Sequence, residues 1–161
     1  NKAGKRESPA RFFMLQPVIQ NGIRGAKLGA MDVFLTNFES EYHYLFKQVF
    51  SVSQAEQGQD LERYYGMPNM ARRLLETFLA YRIPSRSGDL FGKLNAINGD
   101  VAVKTRVLRF LHTYSHGDAV AQPDHDPTVL VETPAVLRDV LALINVNDPK
   151  HYSEMIALVN R

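Results

Sequence analysis

Two pairs of charged or titratable side chains have the spacing that places both members on one helix face. Arg72 and Glu76 are four residues apart, and Arg109 and His116 are seven apart, which is about two helical turns. Arginine offers a planar fork that matches phosphate oxygens, glutamate can orient that arginine, and histidine titrates near neutral pH. If the two faces meet, the four side chains surround one phosphate.

These residue types suffice to cleave a phosphodiester beside a 2′-hydroxyl without a metal ion. A base takes the proton from the 2′-hydroxyl, cations stabilise the charge on the pentavalent phosphorus, and an acid protonates the leaving 5′-oxygen. The sequence therefore predicts a ribonuclease-like site formed by Arg72, Glu76, Arg109 and His116. His112, one turn before His116, is a second candidate for the catalytic histidine.

Each pair also has an ordinary structural explanation. An Arg–Glu pair at this spacing is most often a surface ion pair of small energetic value. His116 precedes Gly117, a natural helix-ending residue, and a histidine there suits the negative end of the helix dipole. His43 and His151 are weaker candidates, and His125 lies between two aspartates without the spread ligand set of a metal site.

Composition indicates a protein that buries a core and does not span a membrane. The chain has 161 residues, is 45% hydrophobic and 22% charged, and contains no cysteine, which excludes disulfides and thiolate metal sites. It shows neither a long apolar run nor a signal peptide, so a cytoplasmic location is expected. The net charge of +2 does not by itself predict nucleic-acid binding.

The elements that must position the candidate residues are predicted to be mainly helices. Arg11–Gln16 predicts a short strand that stops at Pro17, and the glycines between 18 and 31 indicate a loop. Helical periodicity follows Thr36, whose spacing to Glu39 has the capping-box form. We therefore expect a short N-terminal β element followed by about five or six helices.

The later helix ends are predicted from prolines, aspartates and glycines. Pro68 suits the first residue of one helix, Asp100 suits the N-cap of the next, and Gly117 suits its end. Thr133-Pro134 and Asp148-Pro149 each predict an N-cap followed by a helix. Arg72 and Glu76 would then share one helix, and Arg109 and His116 another.

Three stretches resemble the C-terminal part of bacterial ABC/AAA-type ATPases related to the PrrC and RloC anticodon nucleases. They are Phe38–Phe46, Met67–Glu76 and Arg109–His116. Those nucleases carry an Arg-x3-Glu pair followed by a histidine, and Arg72 with Glu76 matches the pair. They belong broadly with the HEPN ribonucleases, whose Arg-x4–6-His motif resembles Arg109 with His116 at its longest spacing.

The resemblance implies a helical HEPN-like bundle over residues 36–161. Residues 1–35 would be a lead-in that continues an upstream ATPase region, because the chain lacks a P-loop and does not begin with methionine. ATP and Mg²⁺ are expected only in that upstream region, and no cofactor or metal is expected in residues 1–161. The expected domains are thus 1–35 and 36–161.

The resemblance also implies a function. The implied protein is a toxin of anti-phage defence, a metal-independent endoribonuclease that cuts tRNA. Its attached ATPase would restrain it, and it would act as a homodimer. The alternative is a non-catalytic interaction or oligomerisation module of a defence ATPase that works with a separate nuclease partner. A DNA-acting domain ranks lower, because no metal-ligand cluster is visible and DNA lacks the 2′-hydroxyl.

Overall fold

A computed structural model describes residues 13–38, 40–56, 61–85, 89–113 and 128–160. The described residues form helices and one two-stranded antiparallel sheet, which confirms the predicted mainly α fold with an N-terminal β element. The chain divides into two compact units, Asn1–Glu39 and Ser40–Arg161. No helix in the described ranges has both the length and the apolar character that a membrane crossing requires.

The first unit contains a β-hairpin where the sequence predicts a single strand that ends at Pro17 and is followed by a loop. Strand β1 (Phe13–Gln20) pairs antiparallel with β2 (Ile23–Ala30), and Pro17 lies opposite Ala26 in the register. Asn21 and Gly22 join the strands with φ of 51° and 77°, as a tight two-residue hairpin turn requires. The predicted loop over 18–31 is therefore wrong: in a two-stranded sheet both strands are edges, which tolerate proline and glycine.

The predicted capping box at Thr36 is also wrong. Thr36 lies inside a short helix, α1 (Val33–Asn37), instead of preceding one. The next helix, α2 (Glu41–Ser53), is capped by Ser40, whose Oγ accepts a hydrogen bond of 3.2 Å from the backbone N–H of His43. Ser40 has the extended backbone that an N-cap needs, so the helix starts later than the pattern indicates.

The second unit is built from helices in its described part. After α2 these are α3 (Leu61–Tyr64), α4 (Met67–Arg82), α5 (Leu90–Ala96), α6 (Val101–Thr113), α7 (Thr128–Val131), α8 (Thr133–Asn147) and α9 (Pro149–Val159). Helix α2 packs against α4, α8 and α9, and α4 also packs against α6 and α8. The core between these helices is built mostly from aliphatic and aromatic side chains at helical spacing. It includes Leu74, Leu75 and Leu79 of α4 and Leu137, Val140 and Ile144 of α8, all fully buried. Burial of each such side chain contributes roughly 1.5–3 kcal/mol.

Most predicted helix starts in this unit are confirmed. Pro68 lies in the first turn of α4, Asp100 caps α6 through its Oδ1, and Asp148 caps α9. Thr133 is not the cap of α8, because α7 runs directly into α8 and Glu132 takes that place with a helical backbone. The Thr133 hydroxyl is instead buried without a hydrogen-bond partner among the described residues.

One buried amide joins α8 to the loop between α5 and α6. Asn147, the last residue of α8, accepts from the backbone N–H of Asn98 and donates to the carbonyl oxygens of Asn98 and Leu143, each at 2.8 Å. The same loop is also bonded to α6, where the buried Lys104 ammonium donates to the carbonyl oxygen of Ile97. These bonds hold the end of α8, and with it the start of α9, against the body of the bundle.

Candidate functional site

Arg72 and Glu76 form the ion pair that their spacing predicts. On α4, the Arg72 Nε lies 2.8 Å from Oε1 of Glu76, and the two side chains are 29% and 42% exposed. The neighbouring Arg73 makes a different ion pair, with Glu41 at the start of α2. Adjacent arginines of one helix thus engage two separate carboxylates.

Arg109 lies on α6 and has a carboxylate of its own. Its Nη2 is 3.7 Å from Oε2 of Glu132, which precedes α8, and the two side chains are 68% and 50% exposed. The structure therefore places Arg72 and Arg109 in two distinct ion pairs on two helices that pack against each other. His112 is exposed three residues beyond Arg109, so both side chains occupy neighbouring positions on the surface of α6.

His116 lies outside the described residues, as do Gly117 and the predicted loop after it. The four predicted site residues are therefore described only in part: the structure places Arg72, Glu76 and Arg109. Among these three, the structure brings Arg72 and Glu76 into contact.

A pocket in the second unit gathers polar and aromatic side chains that sequence reasoning did not select. It has a volume of about 470 Å³ and lies where α2, α4 and α9 come together. It is lined by Ser40, Tyr42, Thr77, Phe78, Tyr81, Arg82, Asp148 and His151. Its wall therefore combines four aromatic rings with a cation, a carboxylate and two aliphatic hydroxyls.

A tyrosine-histidine pair forms the inner part of this pocket. The Tyr42 hydroxyl lies 2.8 Å from Nε2 of His151, and the imidazole stacks on Phe78 with ring centroids 5.9 Å apart. Burial raises the pKa of the Tyr42 phenol well above its usual range, and the nearby charge of Asp148 raises it further. The phenol therefore stays protonated, and able to donate a hydrogen bond, at neutral pH.

Opposite charges form the outer part. Oδ1 of Asp148 accepts from the backbone N–H of His151 at 3.0 Å, as the cap of α9. Its Oδ2 lies 4.0 Å from Nη1 of Arg82, which is beyond hydrogen-bond range. Both Oδ2 and the guanidinium are thus close enough to attract each other and still able to bind a ligand.

Local sequence signals locate these residues on their elements but not in one pocket. The Asp148-Pro149 start signal predicts α9 and puts His151 in its first turn, while Tyr42 belongs to the apolar stripe of α2. The two hydrogen-bonded side chains are 109 positions apart, so only the packing of α2 against α9 joins them.

Metal-binding side chains do not cluster in the described part of the chain, where no group of three or more carboxylates and histidines could hold an ion.

A comparison with protein families matches residues 1–142 to an AAA domain. The chain belongs to this AAA domain family. The match spans both compact units and most of the helical elements, and it confirms the predicted relation to AAA-type ATPases. Comparisons of the chain with curated protein sequences and with solved structures found no match. The relation to anticodon nucleases and to HEPN ribonucleases stays a prediction.

The AAA-related chain does not carry the phosphate-binding loop of P-loop ATPases within its 161 residues, because the sequence has no Gly-x4-Gly-Lys-Ser/Thr motif. Its described sheet is a two-stranded antiparallel hairpin, whereas a P-loop follows a strand and opens a helix.

Proposed function

We propose that this chain is the endoribonuclease region of an AAA-type ATPase of anti-phage defence, cutting tRNA without a metal ion. The observation that supports the proposal is the geometry of Arg72. Glu76 accepts a hydrogen bond from Nε of Arg72 at 2.8 Å and so fixes the plane of the guanidinium. Arginine fixed in this way is suited to bind a phosphate group.

The terminal amino groups of Arg72 remain available to a ligand. Within the described part of the chain, Glu76 is the hydrogen-bond acceptor of this guanidinium, and it uses only Nε. Nη1 and Nη2 can therefore donate to two oxygens of a phosphodiester. Arg109, on the helix packed against α4, would supply a second cation to the transition state.

His116 would carry the proton transfer. A general base removes the 2′-hydroxyl proton, the 2′-oxygen attacks phosphorus, and the bond from phosphorus to the 5′-oxygen breaks as an acid protonates that oxygen. The products are a 2′,3′-cyclic phosphate and a 5′-hydroxyl. One imidazole serves as base or acid, and a homodimer would bring a second imidazole to the same site.

The proposal is tested by incubating the purified chain with total tRNA in EDTA. We expect cleavage products ending in a 2′,3′-cyclic phosphate, and we expect Glu76→Ala and His116→Ala to lose at least about 100-fold in rate. Arg73→Ala is the matched control, since Arg73 neighbours Arg72 on α4 and forms its ion pair with Glu41 of α2 instead. That variant should cleave at the rate of the unmodified chain.

Two results would contradict the assignment. Undiminished cleavage by both Glu76→Ala and His116→Ala would remove these side chains from the reaction. Cleavage that requires added Mg²⁺ would exclude the metal-independent mechanism. Circular dichroism of each variant would verify that the helices remain folded.

A second candidate function is a non-catalytic interaction module that works with a separate nuclease. It is favoured by the exposure of both candidate ion pairs, which is typical of ordinary surface salt bridges. Large apolar side chains are also exposed on this unit, among them Phe91 at 60% and Val101 at 77%. Failure of the unmodified chain to cleave tRNA, with or without Mg²⁺, would favour this module.

A further inference from the structure

The pocket between α2, α4 and α9 has the features of a binding site for a small planar polar molecule. Its volume of about 470 Å³ falls in the range of about 300–1,000 Å³ that is usual for ligand pockets. Four of its lining side chains are aromatic, and its polar groups come from the start of α2, the second half of α4 and the start of α9. Neither Arg72 nor Glu76 lines it.

We propose that this pocket binds a nucleotide unit, with the base stacked on Tyr81 and the phosphate at Arg82, and that it selects bases carrying an exocyclic amino group. The proposal goes beyond the ribonuclease function and does not require cleavage. The shared chemistry is a nucleobase joined to a phosphate, whether in a free nucleotide or in an RNA chain.

Aromatic side chains supply the stacking surface. Tyr81 stands at the rim with 86% of its surface exposed, and Phe78 and His151 form a stacked pair within the pocket. A flat base can cover Tyr81 at little entropic cost, because a tyrosine ring has few rotatable bonds. Stacking of one base on an aromatic side chain contributes roughly a 5- to 150-fold gain in affinity.

Asp148 supplies the selectivity. Its Oδ1 is engaged by the backbone N–H of His151, and its Oδ2 has no hydrogen bond from Arg82 at 4.0 Å. An ionised carboxylate only accepts hydrogen bonds, so Oδ2 favours an amino group and repels a carbonyl oxygen. Cytosine has an amino group at position 4, where uracil has an oxygen, and the two bases are otherwise alike in shape.

Arg82 supplies the phosphate contact. The guanidinium lies at the end of α4 with its side chain 52% exposed. Within the described residues its nearest acidic oxygen is Oδ2 of Asp148, too distant for a hydrogen bond. Its donors can therefore form the paired hydrogen bonds that phosphate oxygens accept.

Calorimetry with the full chain tests the proposal, using cytidine and uridine 5′-monophosphates as probes. We expect the cytidine nucleotide to bind at least about tenfold more tightly, in line with the cost of a mispaired polar group. Asp148→Asn should abolish this preference, and because asparagine is an equally good N-cap the variant should fold normally. Tyr81→Ala should weaken both nucleotides, and Arg73→Ala, outside the pocket, should change neither.

A comparison of ligand lengths separates the two sources of the nucleotide. Tighter binding of a cytidine oligonucleotide than of the monophosphate would identify RNA, and equal or weaker binding would identify a free nucleotide. Equal affinities for the cytidine and uridine nucleotides, or no heat of binding at millimolar concentration, would overturn the proposal. Since Glu76→Ala leaves the pocket intact, failure of cleavage and failure of binding are distinguishable.

Discussion

Replacement of Asn147 by alanine tests whether one buried amide holds the end of α8. The side chain is 9% exposed and makes three hydrogen bonds of 2.8 Å, two to the backbone of Asn98 and one to the carbonyl oxygen of Leu143. Each such hydrogen bond contributes a net stabilisation of about 0.5–1.5 kcal/mol to the folded state. Because Asn98 is itself exposed, water can replace part of the loss, and we expect the free energy of unfolding to fall by about 2–3 kcal/mol.

Asn147→Asp separates the amide's hydrogen-bond pattern from its volume. The carboxylate still accepts from the N–H of Asn98, but it cannot donate and faces the carbonyl oxygens of Asn98 and Leu143. We therefore expect Asn147→Asp to be at least as destabilising as Asn147→Ala at neutral pH. A change below about 0.5 kcal/mol in either variant would refute the reasoning.

Urea unfolding followed by circular dichroism measures these effects. Asn145→Ala is the matched control, because Asn145 belongs to the same helix, is exposed and lies only two residues away. That variant should lie within about 0.5 kcal/mol of the unmodified chain. An equal loss in Asn145→Ala and Asn147→Ala would mean that helix propensity, and not the hydrogen bonds to the loop, sets the stability.

Two further predictions concern the titration of a phenol and the different environments of two arginines. The raised pKa of Tyr42 means that the folded chain holds the phenolic proton more tightly than the unfolded chain. The stability that this bound proton contributes is therefore complete below about pH 10 and is lost as the pH rises further. Urea titrations between about pH 9 and 12 should then show a smaller loss of stability for Tyr42→Phe than for the unmodified chain. On α6, Arg106 pairs with Asp139, whose side chain is 17% exposed, whereas Arg109 is 68% exposed. Arg106→Ala should therefore cost about 1–3 kcal/mol, and Arg109→Ala at most about 1 kcal/mol, in the same urea assay; equal losses would contradict the link between burial and the strength of the ion pair.

Helices were predictable because the signals that make them are local. The apolar residues of α4 and α8 recur at three and four positions, and Pro68, Asp100 and Asp148 mark helix starts with side chains that act within one turn. The signals failed where two elements compete for the same residues. Glu132 takes the N-cap position of α8 in place of Thr133, without a side-chain capping bond, because a preceding turn of helix, α7, runs directly into it.

The hairpin shows a different kind of error. The Asn21-Gly22 turn, the strongest local signal for a tight hairpin, was in the sequence, but Gly25 and Gly29 in the following strand indicated a loop. Strand pairing along the whole of β1 outweighs the weak strand preference of individual glycines.

The sequence by itself determined the mainly helical class, the starts of α4, α6 and α9, and the Arg72–Glu76 ion pair, because each depends on residues within one or two turns. Tertiary structure alone decided that Arg109 pairs with Glu132 and that Tyr42 meets His151 across 109 positions. Those contacts depend on how α2, α6, α8 and α9 pack, and packing reflects the summed burial of many side chains that no short motif records.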